Sequence, residues 1–137
     1  MDKYTSIILF TTDGKLIFQQ KDKGFKINNS GKITTFGGKI ETGEKPLEAA
    51  LREIEEELMI KLKEEDLDFF GNYKDKNYRD EETFVFAYMA RNINPEKLKL
   101  KEGKSIFYFS KNENLENYNF SNLARRLVKD YLSKEYL

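Results

Sequence analysis

The stretch from Gly38 to Ile60, GKIETGEKPLEAALREIEEELMI, constrains this chain more than any other part of it. Pro46 suits the first turn of a helix, where its missing N–H would be unpaired in any case. From there Leu47, Ala50, Leu51, Ile54 and Leu58 recur at helical spacing, which predicts an amphipathic helix from Pro46 to about Leu58 with one stripe against a core. With about 100° between successive residues, Glu53, Glu56 and Glu57 gather on a different face. Ala49, one turn before Glu53, leaves open space above them. A hard cation such as Mg²⁺ takes oxygen ligands, only a few from protein, and completes its shell with water and substrate phosphate. Three carboxylates beside a small residue suit that chemistry. The competing reading is an ordinary solvated face, because like charges at these spacings cost only a few tenths of a kcal/mol each.

Residues upstream favour the metal reading. Gly38 is followed after five residues by Glu44, and after seven more by Arg52-Glu53-Ile54-Glu55-Glu56-Glu57. This resembles the signature of the Nudix (MutT-type) hydrolases, G-x5-E-x7-R-E-U-x-E-E-x-G-U, with U a bulky aliphatic. Every fixed position matches except the late glycine, which is Met59 here. So many fixed residues at fixed spacing make a far more specific signal than a lone glycine-rich loop. The resemblance implies an α+β fold, a mixed β-sheet sandwiched between α-helices, spanning residues 1–137 as one domain. It implies cleavage of a diphosphate linkage in a nucleoside diphosphate bonded to another group, with Mg²⁺ as the metal and Mn²⁺ as a substitute. Carried over residue by residue, the Gly38 carbonyl and the carboxylates of Glu53, Glu56 and Glu57 would hold the metal, and Lys39 would meet the phosphates. Glu44 would lie near the metals. Arg52 would pair with a carboxylate to fix its direction. At Met59 a left-handed helix end would cost a side-chain-bearing residue roughly 1 kcal/mol, or the helix ends differently.

Composition narrows the chemistry further. The 137-residue chain is long enough for a sizeable core. Its 24 Lys plus Arg balance 24 Asp plus Glu, which argues against a polyanion-binding surface and hence against nucleic-acid polymers as partners. A single small-molecule nucleotide remains compatible. There is no histidine and no cysteine, so zinc–His sites, thiolate metal sites, disulfides and Ser-His-Asp triads are excluded. Acid–base work falls to carboxylates, Lys, Tyr or water. The apolar run in MDKYTSIILF is too short for a signal peptide or membrane span. The expectation is a cytoplasmic protein, monomer or homodimer, with no membrane partner.

Along the chain, Tyr4 to Thr11 reads as a strand, Asp13-Gly14 as a hairpin turn and Lys15 to Gln20 as the returning strand. Lys21 to Gly31 reads as a loop, and Ile33 to Phe36 as a short strand leading into the Gly37-Gly38 pair. Leu67 to Tyr73 and Thr83 to Ala90 read as strands flanking a charged loop, Lys74 to Glu82. Ser105 to Phe109 is a further strand. Leu123, Ala124, Leu127, Val128, Tyr131 and Leu132 mark a closing amphipathic helix begun by Ser121 or Asn119.

Outside the signature, Glu102 stands in an E-G segment just before the strand SIFYFS. MutT-type members often place a further acidic residue there, so Glu102 is a candidate second-metal ligand or base, against an exposed turn as the alternative. Glu53 is the preferred base on pattern strength. By similarity to members that sanitise oxidised purine nucleoside triphosphates, Thr34 takes the place of a base-reading Asn. Phe36 and Asn122 are further substrate-binding candidates; an amide both donates and accepts, which suits a purine edge. The leading substrate is a nucleoside triphosphate, with an oxidised purine first, cleaved to the monophosphate and pyrophosphate. ADP-ribose, dinucleoside polyphosphates and nucleotide sugars stay open as alternatives, as does a non-catalytic nucleotide-sensing domain.

Overall fold

The computed structural model describes residues 1–21, 31–101 and 104–135. Strand β1 (Asp2–Thr11) returns through a turn at Gly14 into β2 (Leu16–Lys21). A two-residue strand, β3 (Ile33–Thr34), precedes helix α1 (Pro46–Leu58). Two long strands follow, β4 (Leu67–Lys76) and β5 (Glu82–Ile93), then β6 (Lys104–Phe109) and helix α2 (Asn122–Glu135).

All six strands form one mixed sheet with the order β3-β2-β1-β5-β4 and β6 added beside β2. β1 pairs with β5 in parallel, and the remaining named pairs are antiparallel. β2 gives one edge first to β1 and then to β3, and its whole other edge to β6. From Thr5 to Thr11 every residue of β1 is buried, as expected of a strand covered on both faces. Its side chains alternate between two cores. Ile8 and Phe10 join Leu16, Phe18, Phe109 and the α2 residues Ala124, Leu127 and Val128. Ile7 and Leu9 join Ile17, Phe36 and the α1 residues Ala50, Ile54 and Leu58. The result is the α+β sandwich expected from the sequence, a mixed sheet between two helices.

Several boundaries differ from the sequence reading. β4 and β5 run through most of the charged segment read as a loop, leaving only residues 77–81 as the turn. In β4 the segment Lys74-Asp75-Lys76 alternates exposed with half-buried, so charge on an outer strand disguises a regular ladder. The short strand ends at Thr34, and Phe36 makes a separate bridge to Ile7. Ser121 caps the start of α2, its hydroxyl accepting the Ala124 N–H at 3.2 Å. Among the described residues no helix is long and apolar enough to cross a membrane.

Candidate active site

Helix α1 starts where the sequence places it. Pro46 occupies the first turn, and the Lys45 N–H donates to Glu48 at 2.8 Å, satisfying an otherwise free helix-start amide. With Ala50, Ile54 and Leu58 buried against the sheet, Glu53 and Glu57 project beside the segment from Phe36 to Gly38. That segment lies along β1: the Ile7 N–H donates to the Phe36 carbonyl at 2.7 Å, and the Thr5 N–H to the Gly38 carbonyl at 2.9 Å.

The glycine pair is required by close approach on two sides. Gly37 has φ +143°, and a Cβ there would lie 2.1 Å from the Thr5 carbonyl oxygen. A Cβ on Gly38 would lie 2.4 Å from Glu53 Oε1. Backbone without side chains is thus wedged between β1 and the α1 carboxylates.

Arg52 organises the acidic face. Its Nε and Nη2 donate to Glu44 at 2.7 and 2.9 Å, its Nη1 to Glu53 Oε1 at 3.0 Å, and its Nη2 also to the Lys39 carbonyl at 3.1 Å. Glu56, exposed, reaches the same Nη1 at 3.3 Å. The guanidinium, helped by the Glu41 N–H, holds the Glu44 carboxyl down at about 2. The carboxylates in turn raise the already high pKa of Arg52.

Glu57 sits in a different environment. One oxygen accepts the Gly37 N–H at 3.2 Å and the other accepts Gln19 Nε2 at 3.3 Å. Burial pushes its carboxyl up to about 7, and the adjacent Glu53 adds to the rise against the pull of the Gly37 amide and Lys104. Gln19 is 5% exposed and also donates to the Thr35 carbonyl at 3.0 Å. Sequence reasoning missed Gln19. The available signal was Ile17-x-Gln19-x-Lys21, one face of a strand turning from apolar to polar to charged where the core gives way to the site.

The structure thus gathers Gly38, Glu44, Arg52, Glu53 and Glu57, with Glu56 at the rim. Glu56, expected beside Glu53 and Glu57 as a metal ligand, is exposed and shares the Arg52 Nη1 with Glu53. Lys39 lies on the segment, and its ammonium points to Asp2 at 3.6 Å. Thr34 is nearly closed off and pairs with Gln19 across the β2–β3 ladder. Phe36 corrects the sequence expectation: it is 0% exposed in the α1-side core, so its ring packs against protein and cannot stack on a base. Asn122 opens α2, across the sheet from α1. It lines a cleft of about 450 Å³ with Lys74, Lys76, Glu82, Arg125 and Arg126. Glu102 lies outside the described residues.

Residues 2–131 match the NUDIX domain family. The chain belongs to the Nudix family. No functionally curated protein matches it in sequence. Solved Nudix structures share its fold at low identity. The MutT protein of Methanosarcina mazei Go1 superposes with a TM-score of 0.80 at 15% identity, covering 98% of this chain and 94% of the other. A MutT protein from Bacillus halodurans gives 0.72 at 24% identity, covering 96% and 82%. An Ap4A hydrolase from C. elegans gives 0.74 at 16%, covering 99% and 98%. This Nudix domain is therefore a pyrophosphohydrolase of the family's kind.

Nudix hydrolases generally use divalent metals such as Mg²⁺. The donor set of this chain fits one. Among the described residues no three acidic side chains converge closely enough to enclose an ion alone. Instead Glu53 lies against the Gly38 backbone, where a Cβ would clash with it, and Glu57 lies beside Glu53 under the Gly37 amide. One or two carboxylates, with water and substrate phosphate completing the shell, is how Mg²⁺ is commonly held.

Proposed function

We propose that the protein is a Mg²⁺-dependent hydrolase of nucleoside triphosphates, with oxidised purines as its first substrates, releasing the monophosphate and pyrophosphate. One observation carries this reading: two neighbouring carboxylates of contrasting environment, Glu53 locked by Arg52 against the Gly38 backbone and Glu57 buried under the Gly37 amide. Bound Mg²⁺ would neutralise the diphosphate oxygens and lower the pKa of a coordinated water. Glu53 and Glu57 would be its side-chain ligands, with Glu56 within reach from the rim.

Water attacks phosphorus, the bridging P–O bond breaks, and the pyrophosphate leaves with the electron pair of that bond. Glu53 accepts the proton of the water. Arg52 fixes the direction in which Glu53 presents its oxygens, and Glu44 fixes Arg52. Asn122, at the start of α2, would supply an amide for the purine edge.

The test is a panel of dGTP, 8-oxo-dGTP, dCTP, ADP-ribose and a dinucleoside polyphosphate, scored by product identity with Mg²⁺ and again after EDTA. The expected result is monophosphate and pyrophosphate from triphosphates, abolished by EDTA and restored by Mg²⁺ or Mn²⁺. Glu53→Gln should cost orders of magnitude in turnover while Glu55→Gln, on the exposed face, changes little. Full turnover in metal-free buffer, or a preference for ADP-ribose, overturns the reading.

A further inference from the structure

The α1-side face of β2 and β6 changes character along the ladder. Ile17 and Ile106 pack into the α1-side core, Gln19 is buried beside Glu57, and Lys21 and Lys104 follow. The register sets Lys21 directly opposite Lys104. In an antiparallel pair, opposed residues project to the same face, so two ammonium-bearing side chains stand side by side. Both are half-buried rather than free in solvent.

Like charges directly opposed across a ladder destabilise it. No ion pair joins Lys21 or Lys104 to a carboxylate of the described residues. The anion that both feel is Glu57. Burial, and then Lys104, holds the Lys21 amine below its usual range, while Glu57 pulls the other way. One carboxylate does not balance two cations. Lys104, on the outermost strand, has a competing explanation as a guard against edge pairing. Lys21 lies on a strand paired on both sides and has none.

We propose that Lys21 and Lys104 clamp the terminal phosphate of the substrate, so that this enzyme reads the length of the phosphate chain. The inference rests on the Glu53–Glu57 site being the place of diphosphate cleavage. It adds that the leaving group must itself end in a phosphate. A nucleoside triphosphate fills the clamp, whereas a nucleoside diphosphate is too short to.

The experiment compares wild type, the Lys21→Gln/Lys104→Gln double variant and the Lys21→Arg/Lys104→Arg control, each first shown to unfold at the wild-type temperature. Two quantities are read. One is the ratio of kcat/KM for dGTP to that for dGDP. The other is the ratio of affinities, by calorimetry, for α,β-methylene-dGTP and dGMP. Losing charge-assisted hydrogen bonds to a phosphate should lower both ratios roughly ten- to a hundredfold in the Gln variant. The Arg control should keep them.

Ratios in the Gln variant within about twofold of wild type overturn the clamp. A wild-type enzyme that cleaves neither nucleotide, or a Glu53→Gln variant with full turnover, instead overturns the reading of the carboxylate site. The binding ratio then still decides the clamp by itself.

Discussion

Arg52 grips Glu44 through two parallel hydrogen bonds, Nε to Oε2 at 2.7 Å and Nη2 to Oε1 at 2.9 Å. The same guanidinium holds Glu53 at 3.0 Å. The loop before α1 and the first candidate carboxylate are therefore tied by one planar group. A lysine cannot reproduce this fork. Arg52→Lys is expected to lower kcat about ten- to a hundredfold with a smaller change in KM, as for loss of an outer partner that orients a ligand. An unchanged kcat would show that Glu53 needs no such partner. The tie also sets an acid limit. The Glu44 carboxyl is depressed from its ordinary 4.5 to about 2, so its stabilising effect is complete above pH 4.5 and is lost as pH falls towards 2. Glu44→Gln should flatten this part of the stability–pH curve, measured by thermal unfolding.

Glu57 has the opposite sign. Its carboxyl is raised from 4.5 to about 7, chiefly by burial. The folded state therefore binds the proton more tightly than the unfolded state. That contribution is fully present below pH 4.5 and is lost as pH rises through about 7. In EDTA the unfolding temperature is expected to fall between pH 5 and pH 8, and Glu57→Gln should remove most of that slope. A slope equally steep in the variant would place its origin elsewhere.

Met59 ends α1 with φ 58° and ψ 34°, its N–H donating to the Glu55 carbonyl at 2.9 Å. The helix therefore ends in the left-handed form that the signature glycine favours, with a side chain that is 70% exposed. Relief of the left-handed strain, offset by the greater freedom of glycine in the unfolded chain, should make Met59→Gly more stable by about 0.5–1 kcal/mol. Urea unfolding measures this, and a destabilised variant would mean that the Met59 side chain contributes packing.

What was legible in the sequence was what local periodicity encodes. α1 runs from Pro46 to Leu58 as read, because its stripe and its proline are properties of neighbours in the chain. The sandwich followed from the family resemblance that the residues from Gly38 to Glu57 carry. Angle around the helix groups Glu56 with Glu53 and Glu57 but says nothing of competition for a cation. Arg52, four residues earlier, is an i,i+4 partner that takes it. Phe36 was misread because a ring next to a glycine pair looks the same in sequence whether it faces substrate or core. Only the packing of Ile7, Leu9 and Ile54 around it decides. The role of Gln19 is hard to read for a related reason: its partner, Glu57, is 38 residues away, and only the change of character along its strand face hints at it.

That pairing gives the last prediction. Gln19 donates from one nitrogen to both the Thr35 carbonyl and Glu57 Oε2, joining β2, the segment before the glycine pair and the second carboxylate. Its own Oε1 is buried without a partner among the described residues. Such a buried, half-satisfied amide is unfavourable for stability alone, and it coincides with a candidate ligand that needs a fixed direction. Gln19→Leu removes both donated bonds at nearly constant volume. Leaving the Thr35 carbonyl unpaired should cost about 1–3 kcal/mol, read as a lowered unfolding temperature. A purely structural role would end there. If Gln19 aims Glu57, the Mg²⁺ concentration for half-maximal activity should also rise about ten- to a hundredfold, with the KM for nucleotide at saturating metal much less affected. A Mg²⁺ titration that superposes on wild type, in a variant still folded at the assay temperature, would leave Gln19 as a structural staple and nothing more.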